Sequence, residues 1–160
     1  MQPKNIKRAG FTLIELIITI AIIGILARIS IASYMESVNR AKRATAQTAV
    51  ISLAQAMERY FTKCNSYSST TAPCTSPVDA SNQPTIFPYQ VPATGTQVYT
   101  LTLATTAATS TTPATFTITA TRKSGSAMAS DKCGDFTYTS TGTKGITNNT
   151  SGVAIKDCWK

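Results

Sequence analysis

Phe11-Thr-Leu-Ile-Glu-Leu-Ile-Ile-Thr-Ile-Ala-Ile-Ile-Gly-Ile-Leu-Ala-Arg-Ile29 is the stretch on which the reading of this 160-residue chain turns. It is close to the roughly 20 residues that a membrane-crossing helix requires, and it is apolar on every face rather than along one stripe. A helix of that kind has no side suited to water, so it belongs in lipid or among helices equally apolar. The core helix of a soluble domain is the competing reading, and both the length and the flanks weigh against it.

Ahead of this run, Met1-Gln-Pro-Lys-Asn-Ile-Lys-Arg-Ala-Gly10 is polar and basic and has no apolar centre. A secretory signal carries its apolar centre before the cleavage site. Here the order is reversed, so a cut after Gly10 removes residues 1–10 as a leader and leaves the apolar segment on the mature chain. Lys4, Lys7 and Arg8 are expected to stay cytoplasmic, which directs the rest of the chain outward. Their loss with the leader takes the formal charge from +8 to about +5. Such an excess draws a protein toward polyanions, whether DNA, acidic polysaccharide or lipid head groups, in a salt-dependent way.

The chain contains no histidine. That removes the commonest general base, the Ser-His and Cys-His nucleophile pairs and most zinc sites, so a hydrolase or metalloenzyme is not expected, nor any cofactor or metal. Seven acidic residues are spread along the chain without forming a paired-carboxylate pattern. All four cysteines, Cys64, Cys74, Cys133 and Cys158, follow the apolar segment, on the side that meets an oxidising compartment if the chain is exported. Two disulfides are the natural reading. Spacing alone leaves three connectivities open, and proximity favours Cys64 with Cys74, leaving Cys133 with Cys158.

Past Ile29 there is no Pro or Gly until Pro73, and the pattern turns amphipathic. Val38, Ala41, Ala49, Leu53, Met57 and Tyr60 fall on one helical face, and Arg40, Arg43, Gln47, Gln55 and Arg59 largely on the other. Glu36 and Arg40 stand at i,i+4 in the favourable order. The spacing predicts one helix from about Phe11 to about Thr62, roughly 75–80 Å long at 1.5 Å per residue. Residues 63–97, rich in Ser, Thr, Asn and Pro, read as loop. Val98–Ala104, Thr115–Thr121 and Asp135–Thr139 alternate apolar residues with threonine, the period of half-buried strands. A weaker strand is expected through Gly145-Ile146 or through Val153–Ile155. The sum is an α+β fold: a small antiparallel sheet whose apolar face is covered by the amphipathic half of the long helix.

Gly10-Phe11-Thr12-Leu13-Ile14-Glu15 resembles the processing motif of type IV prepilins. The likeness continues through Ala21–Ala27, Ser33-Tyr34, Arg40–Arg43, Leu53–Tyr60, Asn65–Tyr67, Cys133-Gly134 and Cys158-Trp159, and its late motifs are similar to those of type IVa minor pilins. The resemblance implies the type IV pilin fold, with a leader at 1–10, a transmembrane and fibre-core helix half at 11–33 and a globular domain at 34–160. It implies that a prepilin peptidase cuts after Gly10 and N-methylates Phe11. It also implies that Glu15 serves assembly by neutralising the N-terminal amine of a neighbouring subunit. Physical reasoning arrives at Glu15 separately, since an ionisable group in an apolar helix costs about 2.5–3.5 kcal/mol on insertion scales and is functional by default. Partners implied are other pilin subunits in a helical fibre and the inner-membrane assembly machinery. The implied location is the inner membrane, with the globular domain periplasmic, and then the extracellular pilus.

Two positions depart from the family pattern. Ala32 stands where a helix-kinking proline is usual, and Arg28 places a full charge at the end of the apolar run, to snorkel to head groups or to pair with an acid such as Glu36 of a neighbour. The function expected is a pilus subunit serving adhesion, twitching motility or DNA uptake. A pilus-borne DNA receptor is the alternative, motivated by Arg122, Lys123, Lys132, Lys144, Lys156 and Lys160 in and around the last strands. A type II secretion pseudopilin shares the N-terminal motif, but the Cys133 and Cys158 pair argues against it. Asn148–Ser151 holds overlapping N-glycosylation sequons, and the Ser and Thr richness suits exposed strands as well as it suits O-glycosylation.

Overall fold

The computed structural model describes residues 11–159. The leader expected at 1–10, with the Gly10 side of its cut, and the candidate cation Lys160 lie outside the described residues. The first helix, α1, runs Leu13–Cys64. With Gly24 the only helix breaker along that length, nothing in the sequence interrupts it. It stops at Asn65, which takes a left-handed φ of 50° and returns its N–H to the carbonyl of Phe61 at 2.7 Å. Asparagine tolerates that conformation better than most residues, so it ends the helix where glycine more often would.

The described chain divides into two compact units, one ending at Val38 and one beginning at Asn39. In the first, every large apolar side chain from Phe11 to Ile31 is exposed. Its most apolar 18-residue window has a mean hydropathy of 2.3, long and apolar enough to cross a membrane.

The second unit is an antiparallel five-stranded meander, ordered β1-β2-β3-β4-β5, against the rest of α1. Its strands are β1 (Gln90–Val91), β2 (Tyr99–Thr106), β3 (Thr115–Arg122), β4 (Asp135–Thr139) and β5 (Lys144–Thr147). The threonine alternation does what the period-2 rule requires. Tyr99, Leu101 and Leu103 of β2, Phe116, Ile118 and Ala120 of β3 and Phe136 of β4 form one buried cluster with Ala46, Val50, Leu53 and Met57 of α1. Thr100, Thr102, Thr117, Thr119 and Thr137 alternate with them and stay part-exposed. Disulfides join Cys64 to Cys74 and Cys133 to Cys158.

Two differences from the sequence reading matter. Ile155–Cys158 coils into a helical turn, α2, so the strand through 145–146 is the one that pairs with β4, and β1 adds a short edge strand in a region read as loop. More consequentially, Arg43 and Gln47, assigned to the solvent face of α1, are buried, whereas Ala41, assigned to the core face, is exposed and Tyr60 is only half-buried. The buried stripe runs Arg43, Ala46/Gln47, Val50, Leu53/Ala54, Met57, and its polar start is explained by the partners described below.

The Tyr99 hydroxyl is buried without a hydrogen-bond partner. Burial pushes its ionisation above the ordinary tyrosine range, and the negative charge of Asp131 adds to that, so the phenol stays neutral. An unsatisfied buried hydroxyl costs about 1–3 kcal/mol. Tyr99→Phe is therefore expected to be neutral or to raise the urea midpoint, and a clear loss of stability would show that the hydroxyl has a partner after all.

Candidate nucleic-acid interface

The segment joining β3 to β4 is held by a buried ionic network that starts on α1. Arg43 forks onto Asp131, Nε lying 2.9 and 3.1 Å from the two carboxylate oxygens and Nη2 2.5 Å from Oδ2. Both side chains are almost fully buried. One turn along the helix, Gln47 donates to the carbonyl of Cys158 at 2.6 Å. Asp131 also accepts the N–H of Cys133 at 3.0 Å, so two α1 side chains spaced i,i+4 grip both ends of the Cys133–Cys158 loop. Arg122 completes the arrangement. Its backbone N–H and Nε donate to Asp135 Oδ1 at 2.9 and 3.1 Å, Nη1 to the carbonyl of Asp131 and Nη2 to that of Asn148. Asn148 closes the ring by donating to Asp135 Oδ2 at 2.8 Å.

Gly134 sits inside this loop at φ 69°, and a Cβ there would stand 2.1 Å from the carbonyl oxygen of Thr147. The β4 strand can begin where it does only because that side chain is absent.

Beside the network, a cleft of about 460 Å³ opens between the β1–β2 connection and the turn after β3. Its lining comprises Gln90, Gly95, Thr96, Gln97, Lys123, Ser124, Gly125 and Ser126, with no carboxylate among them. Lys123 Nζ donates to Gln97 Oε1 at 3.0 Å, and the Gln97 amide is itself fixed by donating to Thr100 Oγ1 at 2.8 Å. One of the three ammonium donors is thus used for placement, which leaves two for a ligand in the cleft. Hydroxyls, amides and one ammonium on glycine-shaped loops suit an anionic oxygen such as a phosphodiester.

Of the six cations singled out from sequence, the five among the described residues do not form one cluster. Arg122 is half-buried and occupied by Asp135 and two carbonyls. Lys123 is exposed at the cleft, and Lys132 is exposed one residue past Asp131, whose carbonyl Arg122 holds. Lys144 pairs with Tyr138, which pairs with Ile118, placing it toward the other end of the sheet, roughly 13 Å from Arg122 by strand rise. Its ammonium lies 5.2 Å above the Trp159 ring. Lys156 is exposed on α2. Sequence reasoning missed Gln97, Ser124 and Ser126, which carry no charge to draw attention to them.

At the start of α1, Thr12 and Glu15 form a reciprocal cap. Glu15 Oε2 accepts from the Thr12 N–H at 3.0 Å and from its hydroxyl at 2.8 Å, while the Glu15 N–H reaches Thr12 Oγ1 at 3.3 Å. This is the capping box, and Thr12-Leu-Ile-Glu15 spells its pattern in the sequence. Thr12, quoted in the sequence analysis only as part of the processing motif, thereby caps α1 and fixes the Glu15 carboxylate.

Comparison with known proteins adds to these observations. The family described as "Type IV minor pilin ComP, DNA uptake sequence receptor" matches residues 32–137, and the prokaryotic N-terminal methylation motif matches residues 5–27. A relative from Myxococcus xanthus (strain DK1622), described as type IV major pilin protein PilA, is 42% identical over 64 residues. That stretch spans 40% of this chain and 29% of the relative's length. The high-resolution structure of a type IV pilin from Shewanella oneidensis is similar with a TM-score of 0.41 at 18% identity, over 76% of this chain and 97% of that one.

Proposed function

The chain belongs to the type IV minor pilin ComP family, and on that premise we propose that it is a pilus-borne receptor that holds DNA at the cleft beside Lys123. The family match over 32–137 carries this reading, because it spans the cleft and the Arg43, Asp131, Arg122 and Asp135 side chains of the network that supports it. The chemistry agrees with it. Phosphate contacts supply position and most of the affinity in DNA binding, and a cleft of this size takes one phosphodiester with its sugar rather than a whole duplex. Lys132 lies near the same end of the sheet and would extend the contact along the backbone. Arg122 serves by holding the 131–135 segment in place.

Lys123→Ala is expected to weaken duplex binding uniformly across sequences and to lower the salt slope by about 1. Fluorescence anisotropy with a labelled duplex between low and moderate salt measures both. Affinity and slope unchanged from the parent chain would rule the cleft out.

The subunit reading extends to assembly. Residues 1–10 would be removed after Gly10 and Phe11 methylated, with 11–33 held first by the inner membrane and then by the fibre core, and 34–160 displayed outside. Other pilin subunits, the prepilin peptidase and the assembly machinery are the partners this requires. The apolar, water-exposed first unit supports it, since such a surface is stable only in lipid or against its own kind.

A further inference from the structure

Within the first unit the apolar run carries two charges, Glu15 and Arg28, both on α1 and both exposed. They stand 13 residues apart, roughly 20 Å along the axis and about 140° around it, so one helix cannot pair them with each other. The other acids of the chain are already in use. Glu58 accepts from the Tyr67 hydroxyl, Asp79 from the N–H groups of Ser81 and Gln83, and Asp157 from that of Ala154. Asp131 and Asp135 belong to the buried network, and Glu36 is engaged as well. In the membrane Arg28 reaches head groups by snorkelling from the end of the run. A bundle of apolar helices offers no head groups, and a charge left there without a partner is costly.

The Glu15 of another copy has the chemistry to be that partner. Both bonds from Thr12 end on Oε2, which leaves Oε1 for a neighbour. A guanidinium fork matches a carboxylate more closely than an ammonium does. The residues one turn to either side of the two charges are complementary in size. Phe11, four residues before Glu15, is large and almost fully exposed, whereas Gly24, four residues before Arg28, has no side chain and open space around it. Four residues after the charges come Thr19 and Ala32, both small, and the Thr19 hydroxyl is satisfied by the Leu16 carbonyl at 2.8 Å. Ala32 also lets α1 run unbroken past Arg28, where a proline would kink it. Glu15 and Thr19 thus share one face, with Phe11 a turn ahead, and Gly24, Arg28 and Ala32 share another at the same i,i+4 spacing.

We propose that in the fibre Arg28 of one copy pairs with Glu15 of a second copy advanced by 13 residues, with Phe11 of that copy seated at Gly24. The proposal rests on the assembly reading given above. The basic residues Lys4, Lys7 and Arg8 start every copy from the cytoplasmic side, so the helices run parallel. Because the two faces lie about 140° apart, a copy that offers Glu15 to one neighbour offers Arg28 to another, and the contact is head-to-tail. An interface of that kind does not close as a two-fold dimer does. It propagates, advancing roughly 20 Å at each contact, which is the geometry of an open filament.

The test is disulfide trapping between two full-length chains, Thr19→Cys and Ala32→Cys, expressed together in the organism that encodes the protein. The stagger brings these two positions level, one turn past the charge pair. Cells are oxidised, fibres are sheared off, and both fibre and membrane fractions are run on non-reducing gels. The four native cysteines are already paired within the chain, so a covalent dimer reports the 19–32 contact. The expected result is a dimer in the fibre fraction when both chains are present, none from either chain alone, and loss of the dimer when both also carry Arg28→Ala. Fibres that hold both chains without a dimer would overturn the proposal and put a different pilin beside Arg28. A dimer confined to the membrane fraction, or one that survives Arg28→Ala, would overturn it as well. Absence of both chains from fibres would sink the assembly reading, and the proposal with it. The pair that keeps Arg28 decides alone, so the outcome does not depend on whether the Arg28→Ala chains enter fibres.

Discussion

Asp131→Ala is expected to destabilise the globular unit by about 3–5 kcal/mol, a large share of the roughly 5–15 kcal/mol that holds a domain of this size together. The substitution takes the Asp131 carboxylate away from the buried Arg43 guanidinium and removes the acceptor of the Cys133 N–H. It also frees the segment on which Arg122 and the Lys123 turn are built. Trp159, the only tryptophan, is buried and donates to the Gly145 carbonyl at 2.8 Å, so its fluorescence reports the loss directly during urea titration. The paired replacement Arg43→Met/Asp131→Leu should recover much of the stability, because it removes both desolvated charges together. A single variant as stable as the parent would mean that water reaches Arg43. Buried pairs of this kind position structure more than they strengthen it. Here the pair anchors a disulfide loop that a bond spanning 25 residues already stabilises by about 3.5 kcal/mol.

Glu15→Ala is expected to remain leader-cleaved and membrane-resident and yet to be lost from fibres. The carboxylate makes lipid costly by about 2.5–3.5 kcal/mol, so removing it shifts the partition toward lipid by roughly a hundredfold. It also removes whatever pairing Glu15 makes with a neighbour's amine. The Thr12 cap suggests a sharper comparison. Glu15→Gln keeps an oxygen that can accept from the Thr12 N–H but carries no charge. If charge pairing drives assembly, Gln fails as Ala does; if helix capping alone matters, Gln assembles. Immunoblots of sheared fibres against membrane fractions read all three chains, and normal amounts of the Ala variant in fibres would end the assembly role.

Much of the fold is legible because its causes are local. An apolar run of membrane length, a Thr-x-x-Glu cap and threonine alternation each act over a few residues, so the long helix, its start and the three main strands can be read before any packing is known. The candidate site is less legible. Lys123 stands out by its charge, but Gln97, Ser124 and Ser126 become site residues only when two loops distant in sequence come together.

The polar residues misread from the sequence share one physical cause. A guanidinium or an amide is placed on the solvent side of a helix because burying it alone is expensive, and that rule holds for any window of sequence that lacks the partner. Arg43 finds its partner 88 residues away and Gln47 finds a carbonyl 111 residues away, so no local pattern could announce either burial. The same applies to Arg122, a surface cation by composition and a structural tie by contact, and to the choice of 144–147 over 153–155 as the last strand. Local chemistry set the elements of this protein, and long-range pairing decided which of its charges remain available to a ligand.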